Sequence, residues 1–369
     1  MHCLFICDTY SQVFAAIQMK RTLLKTEEVD MIMVDEPYNA EKITAGLKQI
    51  NLFNRVAYVK CHKEENLDRN VRRIVRYARG IWYTLLFCIG YREVYKKQIW
   101  SDRIDYDAIY YVDLRRIVFY IVEEVEKKRD TPRTIILDEG VLGYNNAGNL
   151  KGMTADLYKR VRKILRKVDF TENQACAVFY PDIYKMNPGL CEEIIPIPSV
   201  KGDKEFYSII GQLFGMNEMS NPAGDYKYIY FGLNGNADLG EIELVEKLAV
   251  HIGKEKLLIK KHPGDHRTYF EKNGYHIMPS SYVPWEAYLS AFDFSGKCFI
   301  SICSTSILNS SLMFDSGASL YYLYPCINEV KLSRASNIVK VIEEFDLIRR
   351  SGYCKDINVT SNIEDISVF

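Results

Sequence analysis

Four segments of this 369-residue sequence carry side chains that could do chemistry, and each follows a short apolar run typical of a buried strand. In the first, Leu-Asp-Glu-Gly, Asp138 and Glu139 end such a run and Gly140 lets the chain turn sharply. Partial burial and the neighbouring carboxylate both raise the pKa of such an acid toward that of a useful general base. The alternative is an aspartate that caps a helix or a turn, and the spacing leaves both interpretations open.

The second segment, which ends at Arg267, concentrates Lys260, Lys261 and His262 directly after a predicted strand. Pro263 fixes the turn and removes one N–H donor, so the basic side chains and the amides of a helix start are left to face an anion. Phosphate binding is the chemistry that such a turn predicts. A solvated basic turn is the alternative.

The other two segments also lie between a strand and a helix. Ser304, Thr305 and Ser306 offer hydroxyls that cap a helix by default, but hydroxyls and free amides at a helix start also bind phosphate oxygens without a metal. Gly232 and Asn234 belong to a segment that matches neither a dinucleotide-binding glycine motif nor a phosphate-binding loop. That last segment indicates only that a ligand approaches the backbone closely.

The elements that must position these residues alternate between short β-branched or aromatic runs and longer amphipathic stretches, a pattern that predicts parallel sheets covered by helices. The predicted strands are 2–7, 30–35, 55–60, 108–113, 134–138, 175–181 and 193–198 in the first half, and 227–233, 256–261, 298–303 and 319–324 in the second. We therefore expect an α/β protein of two halves that face each other across a cleft. Ligands of open α/β sheets bind beyond the carboxyl ends of strands, where all four segments fall.

Composition narrows the function classes. Lysine and arginine total 48, as do aspartate and glutamate, so the basic excess that a nucleic-acid binder needs is missing. The ten cysteines show no zinc or redox spacing and are expected to be buried thiols in a reducing compartment. The longest apolar run, 81–90, is far below the roughly 20 residues that span a bilayer, so we expect a cytoplasmic protein.

Two basic stretches, 71–87 and 158–167, have apolar positions at helical spacing. Such helices gain both burial and charge attraction on an anionic surface, which would attach the protein peripherally to the inner face of the cell membrane. The alternative is a helix with one buried face and one solvated basic face.

Taken in order, the Asp-Glu-Gly, His-Pro and Ser-Thr motifs resemble those of the bacterial sialyltransferases of GT-B fold, which have a D/E-D/E-G motif in the N-terminal domain and HP and S-S/T motifs in the C-terminal one. The segment from Thr9 to Gln12 is similar to the opening T-x-x-Q loop of glycosyltransferase family 52. The resemblance implies two Rossmann-like domains: 1–195 for the acceptor and the general base, 196–340 for the CMP-sugar, and a helical segment, 341–369, that packs back across the cleft.

The resemblance also implies inverting transfer of sialic acid from CMP-sialic acid to a glycan hydroxyl, with no cofactor and no metal. In that scheme Asp138 is the general base, with Glu139 as its rival, and His262 contacts the CMP phosphate. Ser304 and Thr305 hold the same phosphate, and Ser306 is an alternative to either. Lys260 is placed to reach the cytosine or the phosphate. The carboxylate that holds the ribose hydroxyls corresponds to Glu286.

Two other functions remain open at this point. One is a different GT-B glycosyltransferase, or a nucleotide-sugar epimerase, that uses a UDP-sugar. The other is a non-catalytic scaffold in the assembly of a capsule or lipooligosaccharide. The acceptor and the linkage depend on loops near 36–45 and 138–155, whose shape the sequence does not predict.

Overall fold

The structure is a computed structural model that describes residues 1–34, 39–60, 82, 95, 98–100, 104–112, 116–128, 132–140, 175–185, 193–234, 239–279, 283–333 and 335–368. The basic stretch 158–167, nearly all of 71–87 and most of the loop 138–155 lie outside these residues, so peripheral membrane attachment stays a prediction. The chain forms two compact units, Met1–Pro198 and Ser199–Phe369. The sequence predicts a boundary between residues 195 and 196, close to this division.

The described residues of the first unit form a parallel sheet of seven strands in the order β3-β2-β1-β4-β5-β6-β7. The strands are β1 His2–Cys7, β2 Glu28–Val34, β3 Arg55–Val59, β4 Ala108–Tyr111, β5 Arg133–Leu137, β6 Ala175–Val178 and β7 Glu193–Pro196. The described helices are α1 Tyr10–Arg21, α2 Ala40–Ile50, α3 Arg116–Glu126 and α4 Pro181–Lys185. The strand order reverses beside β1, which lies between β2 and β4, and that point is where open α/β sheets bind ligands.

The second unit has a parallel sheet of six described strands in the order β10-β9-β8-β11-β12-β13. They are β8 Tyr228–Phe231, β9 Leu257–Lys260, β10 His276–Ile277, β11 Cys298–Ser301, β12 Ser319–Tyr322 and β13 Ile357–Val359. The helices are α5 Lys204–Leu213, α6 Glu241–Ile252, α7 Tyr269–Lys272, α8 Trp285–Ala291, α9 Thr305–Leu312, α10 Glu329–Ser333 and α11 Ser336–Arg350. Here the order reverses beside β8, between β9 and β11.

Burial explains why the strands read as apolar runs. Every residue of β8 and β11 is buried, because a parallel sheet of this kind is covered on both faces. Under the second sheet, Trp285 of α8 packs against Phe231 and Phe299 with ring centroids 4.9 and 5.3 Å apart. This aromatic packing fixes the start of α8 against the end of β8, close to the segments that the sequence selected.

The prediction of an α/β protein with two Rossmann-like domains is confirmed, and each of the eleven predicted strands is present. Two strands were missed, β10 and β13, because each has only two or three residues and neither makes an apolar run. The domain bounds and the packing of the segment 341–369 back across the cleft stay predictions. Helix α11 already begins at Ser336, and after it β13 pairs with β12 at the edge of the second sheet.

The prediction that the cysteines are buried free thiols is confirmed for some of the described cysteines and wrong for one. Six described cysteines are free thiols, and all but Cys326 are buried. Cys176, in contrast, is disulfide-bonded. The sequence could not predict this, because the spacing of cysteines along a chain does not tell which of them the fold brings together. Among the described helices, none combines the length and the apolar character needed to cross a bilayer.

Candidate functional site

The best-defined candidate site lies at the carboxyl edge of the second sheet, where three strands end side by side. Phe231 of β8 pairs with Lys260 of β9, and Ser301 of β11 donates from Oγ to the carbonyl of Phe231 at 2.8 Å. The residues that follow these strands therefore share one edge. They are Gly232 and Asn234 after β8, His262 and Pro263 after β9, and Ser304, Thr305 and Ser306 after β11.

The turn after β9 sets the protonation of His262. The backbone N–H of Gly264 donates to Nδ1 of His262 at 3.0 Å. A backbone amide only donates, so Nδ1 is unprotonated and the neutral ring carries its proton on Nε2. Burial of part of the ring and the nearby Lys260 cation lower the pKa of His262 below 6.5, against an opposing effect of Asp265. At neutral pH the ring is therefore uncharged, and its solvent-exposed part offers one N–H donor, at Nε2, to a ligand.

Lys260 supplies a positive charge beside this ring. It ends β9 and is half-buried, and burial lowers the pKa of its amino group below 10.5, although Glu286 favours the charged form. Within the part of the chain that the structure describes, no carboxylate forms an ion pair with Lys260 Nζ. A partly desolvated cation without an ion-pair partner is suited to bind an anion.

A buried ionic network anchors the turn that carries His262. Arg267 donates from Nε and Nη2 to the two carboxylate oxygens of Asp265, each at 2.8 Å, and from Nη2 to Glu241 Oε2. Glu241 Oε1 in turn accepts the backbone N–H of Leu233 at 2.8 Å and the hydroxyl of Tyr230 at 3.2 Å. Burial alone would raise the pKa of Asp265, but the hydrogen bonds from Arg267 lower it. The network therefore fastens this turn to the end of β8.

Sequence reasoning missed Glu241 and Asp265 as parts of the site. The signals were weak: an acidic residue at a helix start is common, and the spacing of Asp265 and Arg267 is that of an ordinary turn. What distinguishes both carboxylates is their burial, 3% and 6% exposed, and burial depends on the tertiary structure.

The loop after β8 lies against the same turn. The backbone N–H of Gly232 donates to the carbonyl of Lys260 at 2.9 Å, and a Cβ on Gly232 would lie 3.6 Å from that carbonyl oxygen. A Cβ on Gly264 would lie 3.4 Å from the side-chain amide of Asn234. The structure thus brings Gly232 and Asn234 next to the His262 turn, with Pro263 exposed at its tip.

The serine-rich segment at the start of α9 caps the helix and also has hydroxyls that take no part in capping. Ser304 caps the helix, since its Oγ accepts the backbone N–H of Ser306 at 3.2 Å, and its carbonyl accepts the hydroxyl of Tyr322 at 2.6 Å. The side chains of Thr305 and Ser306 are half-buried, and no hydrogen bond of either hydroxyl to a described residue is present. A helix N-terminus with such hydroxyls can bind phosphate oxygens.

Glu286 occupies the first turn of α8 and contacts α9. Its Oε1 accepts a hydrogen bond from Asn309 Nδ2 at 2.5 Å. The two helices are also joined by a hydrogen bond from Trp285 Nε1 to Ser310 Oγ at 3.3 Å. Sequence reasoning selected Glu286 but overlooked Asn309, because a single asparagine inside a helical segment carries no signal until its partner is known.

In the first unit, Asp138 follows β5 and is 5% exposed. Its Oδ1 accepts the backbone N–H of Gly140 at 2.7 Å, and its Oδ2 accepts that of Phe179 at 2.9 Å. These bonds stabilise the ionised carboxylate and hold it in one orientation. Glu139, the rival base, is exposed. Asp138 is thus buried and held in place while Glu139 is accessible, and the choice between the two acids stays a prediction.

The Thr9–Gln12 loop lies beside this aspartate loop. Thr9 caps α1, and the buried Gln12 forms a reciprocal pair with Asp8: Gln12 Nε2 donates to Asp8 Oδ1 at 2.7 Å, and Asp8 N donates to Gln12 Oε1 at 2.6 Å. Gly140 has a φ of +88°, and a Cβ there would lie 3.0 Å from Ser11 Oγ. Gln12 thus orients Asp8, an acid at the end of β1 that sequence reasoning missed.

Within the described residues, no group of three histidine, cysteine, aspartate or glutamate side chains is arranged to hold a metal ion. The metal independence of the reaction and the role of each site residue remain predictions.

Comparison with known proteins adds the fold. No protein-family profile matches the sequence, and no curated protein matches it significantly. The crystal structure of CalG4, the calicheamicin glycosyltransferase, matches with a TM-score of 0.51 at 10% identity, covering 99% of this chain and 88% of that one. The crystal structure of the kitacinnamycin glycotransferase matches with a TM-score of 0.48 at 10% identity, covering 100% of this chain and 87% of that one. The crystal structure of Arabidopsis thaliana UGT89C1 complexed with UDP matches with a TM-score of 0.44 at 12% identity, covering 85% of this chain and 78% of that one. Identities this low show only a fold, and the CalG4 match shows that this chain has the GT-B fold.

Proposed function

We propose that this protein is a glycosyltransferase that binds a nucleotide-sugar donor through its phosphate in the second unit. The observation that carries the proposal is the pairing of His262 Nδ1 with Gly264 N, which leaves Nε2–H as a donor beside a lysine without an ion-pair partner among the described residues. A neutral N–H donor, a cation and a helix N-terminus at one sheet edge form the kind of environment that stabilises a leaving phosphate.

The proposed reaction needs charge stabilisation and one proton transfer. The bond between the anomeric carbon of the sugar and a phosphate oxygen of the donor breaks, and the electron pair leaves with the phosphate. A hydroxyl oxygen of the glycan acceptor forms the new bond to the anomeric carbon, and its proton passes to a carboxylate base. His262 and Lys260 stabilise the charge that develops on the leaving group.

The base in this proposal belongs to the first unit, where Asp138 and Glu139 are the candidates. Asp138 is supported by its fixed orientation at the carboxyl end of β5 and by its position as the first acid of its motif. Glu139 is supported by its exposure, which leaves its side chain accessible to an acceptor hydroxyl.

For the donor we propose two candidates. CMP-sialic acid is supported by the order of the Asp-Glu-Gly, His-Pro and Ser-Thr motifs, which resembles that of the bacterial sialyltransferases. A UDP-sugar is the second candidate. The structure that matches this fold, CalG4, is a calicheamicin glycosyltransferase, and that match supports glycosyl transfer in general but not a sialic acid donor in particular.

A donor panel tests both levels of the proposal. The full-length protein is incubated with CMP-sialic acid or with individual UDP-sugars and a lactose-type acceptor, and the released nucleotide and the product mass are measured. Release of CMP with a sialylated product supports sialyl transfer, whereas release of UDP supports the second candidate. His262→Ala is expected to abolish release, and His276→Ala, at an exposed histidine of edge strand β10, serves as the matched control. If the wild type neither binds nor turns over any member of the panel, the proposal is wrong.

A further inference from the structure

Two opposite charges border the proposed phosphate site without forming an ion pair. Glu286 lies near enough to Lys260 to favour the charged form of the lysine, and at such range a carboxylate and an ammonium attract each other. If they paired, the lysine would be neutralised and an incoming phosphate would have to displace the carboxylate. In the structure, however, Lys260 Nζ has no ion-pair partner among the described carboxylates.

A hydrogen bond from helix α9 holds the Glu286 carboxylate. Oε1 of Glu286 accepts a hydrogen bond from Asn309 Nδ2 at 2.5 Å. Asn309 lies inside helix α9, and α9 is joined to α8 by the Trp285–Ser310 hydrogen bond, so both ends of the contact are fixed by the fold. Asparagine is neutral, and it therefore restrains the carboxylate without adding a charge that would compete with Lys260 for an anion.

We propose that Asn309 is a positioning residue that holds Glu286 away from Lys260 and so keeps the lysine available for the donor phosphate. The inference rests on the proposed function in one respect, namely that an anion binds at Lys260. It adds a role for a residue that touches neither the phosphate nor the reacting atoms in the scheme above.

The test is a rescue experiment on the full-length protein. Binding of CMP, UDP and inorganic pyrophosphate is measured by calorimetry for the wild type, Asn309→Leu, Glu286→Gln and the double variant. Asn309→Leu releases Glu286 and is expected to weaken binding about tenfold, the size of one hydrogen bond to a charged group. In the double variant the neutral glutamine amide has no charge to attract Lys260, so its pyrophosphate affinity should return to within about twofold of that of Glu286→Gln alone.

Two further variants control for folding. Asn309→Ala also removes the side-chain amide, and alanine has the highest helix propensity. This variant therefore tests the contact even if leucine disturbs the packing. Ser311→Ala removes a different side-chain hydrogen bond of the same helix, the one to Asp356, and should leave binding unchanged.

The possible outcomes separate this inference from the function on which it rests. Unchanged binding in both Asn309 variants overturns the inference, and so does weakened binding that Glu286→Gln fails to restore, because the effect then comes from the packing of α9. If the wild type binds none of the probes, the proposed phosphate site itself is wrong and the inference falls with it. Weakened binding that the second substitution restores supports both.

Discussion

The backbone N–H of Gly264 donates to Nδ1 of His262 across 3.0 Å, with Pro263 between the two residues. The bond is made entirely within the turn after β9, so the short segment that carries the histidine also decides which of its nitrogens bears the proton. Because Asp265 and Arg267 fasten that turn to Glu241, the direction in which Nε2 points is set by the buried network and not by the exposed ring itself.

We expect His262→Ala to weaken nucleotide binding by about 10- to 100-fold, the range for a hydrogen bond to a charged group. His262→Gln should lose less, because its amide can place an N–H near the position of Nε2. Calorimetry with CMP and UDP measures both effects, and thermal unfolding should be unchanged since the ring is exposed. Equal losses in the two variants would show that Nε2–H is not the group that contacts the anion.

As the pH rises, nucleotide binding should weaken at a lower pH than it would if Lys260 were an exposed lysine of ordinary pKa. Lys260 binds an anion only while protonated, and burial lowers its pKa below 10.5, so affinity is lost as the pH rises through that lowered value. Lys260→Arg should keep its affinity to higher pH, because arginine stays charged throughout. Dissociation constants for CMP measured between about pH 7 and about pH 10 compare the two proteins. Parallel profiles would mean that the lysine does not contact the anion.

Glu241→Ala should destabilise the second unit and displace the His262 turn. The substitution leaves the buried N–H of Leu233, the hydroxyl of Tyr230 and part of Arg267 without their acceptor. Because Arg267 is partly exposed, we expect a loss of about 2–4 kcal/mol in the free energy of unfolding, below the full cost of a buried unpaired charge. Urea unfolding measures it. Glu243→Gln, at an exposed glutamate of the same helix, is the control, and an equally small effect in both would contradict the anchoring role.

Asp138→Asn and Glu139→Gln should separate the two candidate bases. If Asp138 takes the proton, Asp138→Asn lowers kcat by roughly 100-fold or more with little change in nucleotide binding. It should also cost about 1–3 kcal/mol of stability, because one of the two backbone N–H groups loses its acceptor. If Glu139 takes the proton, the loss of kcat appears in Glu139→Gln instead. Turnover and thermal unfolding are measured together, and near-wild-type turnover of Asp138→Asn would assign the role elsewhere.

Much of the architecture was predictable because it depends on local pattern. Strands such as Cys298–Ser301 are continuous apolar runs, since both faces of a covered parallel sheet are buried, and such runs are visible in the sequence. The strand Ile357–Val359 was not predictable, because it is short and half-polar and becomes a strand only by pairing with β12. Propensity is weak at that length, and the neighbouring strand decides the conformation.

The sequence by itself determined the two α/β units and the chemical types at the strand ends, including the basic turn at His262 and the hydroxyls after Ser304, because the position of a residue relative to a strand follows from the chain alone. Only the tertiary structure decided that Glu241 and Arg267 fasten the His262 turn, and that Glu286 is held by Asn309. These properties arise from contacts between side chains and backbone groups, many of them far apart in the chain, and hydrogen-bond geometry and burial exist only once the fold has brought them together.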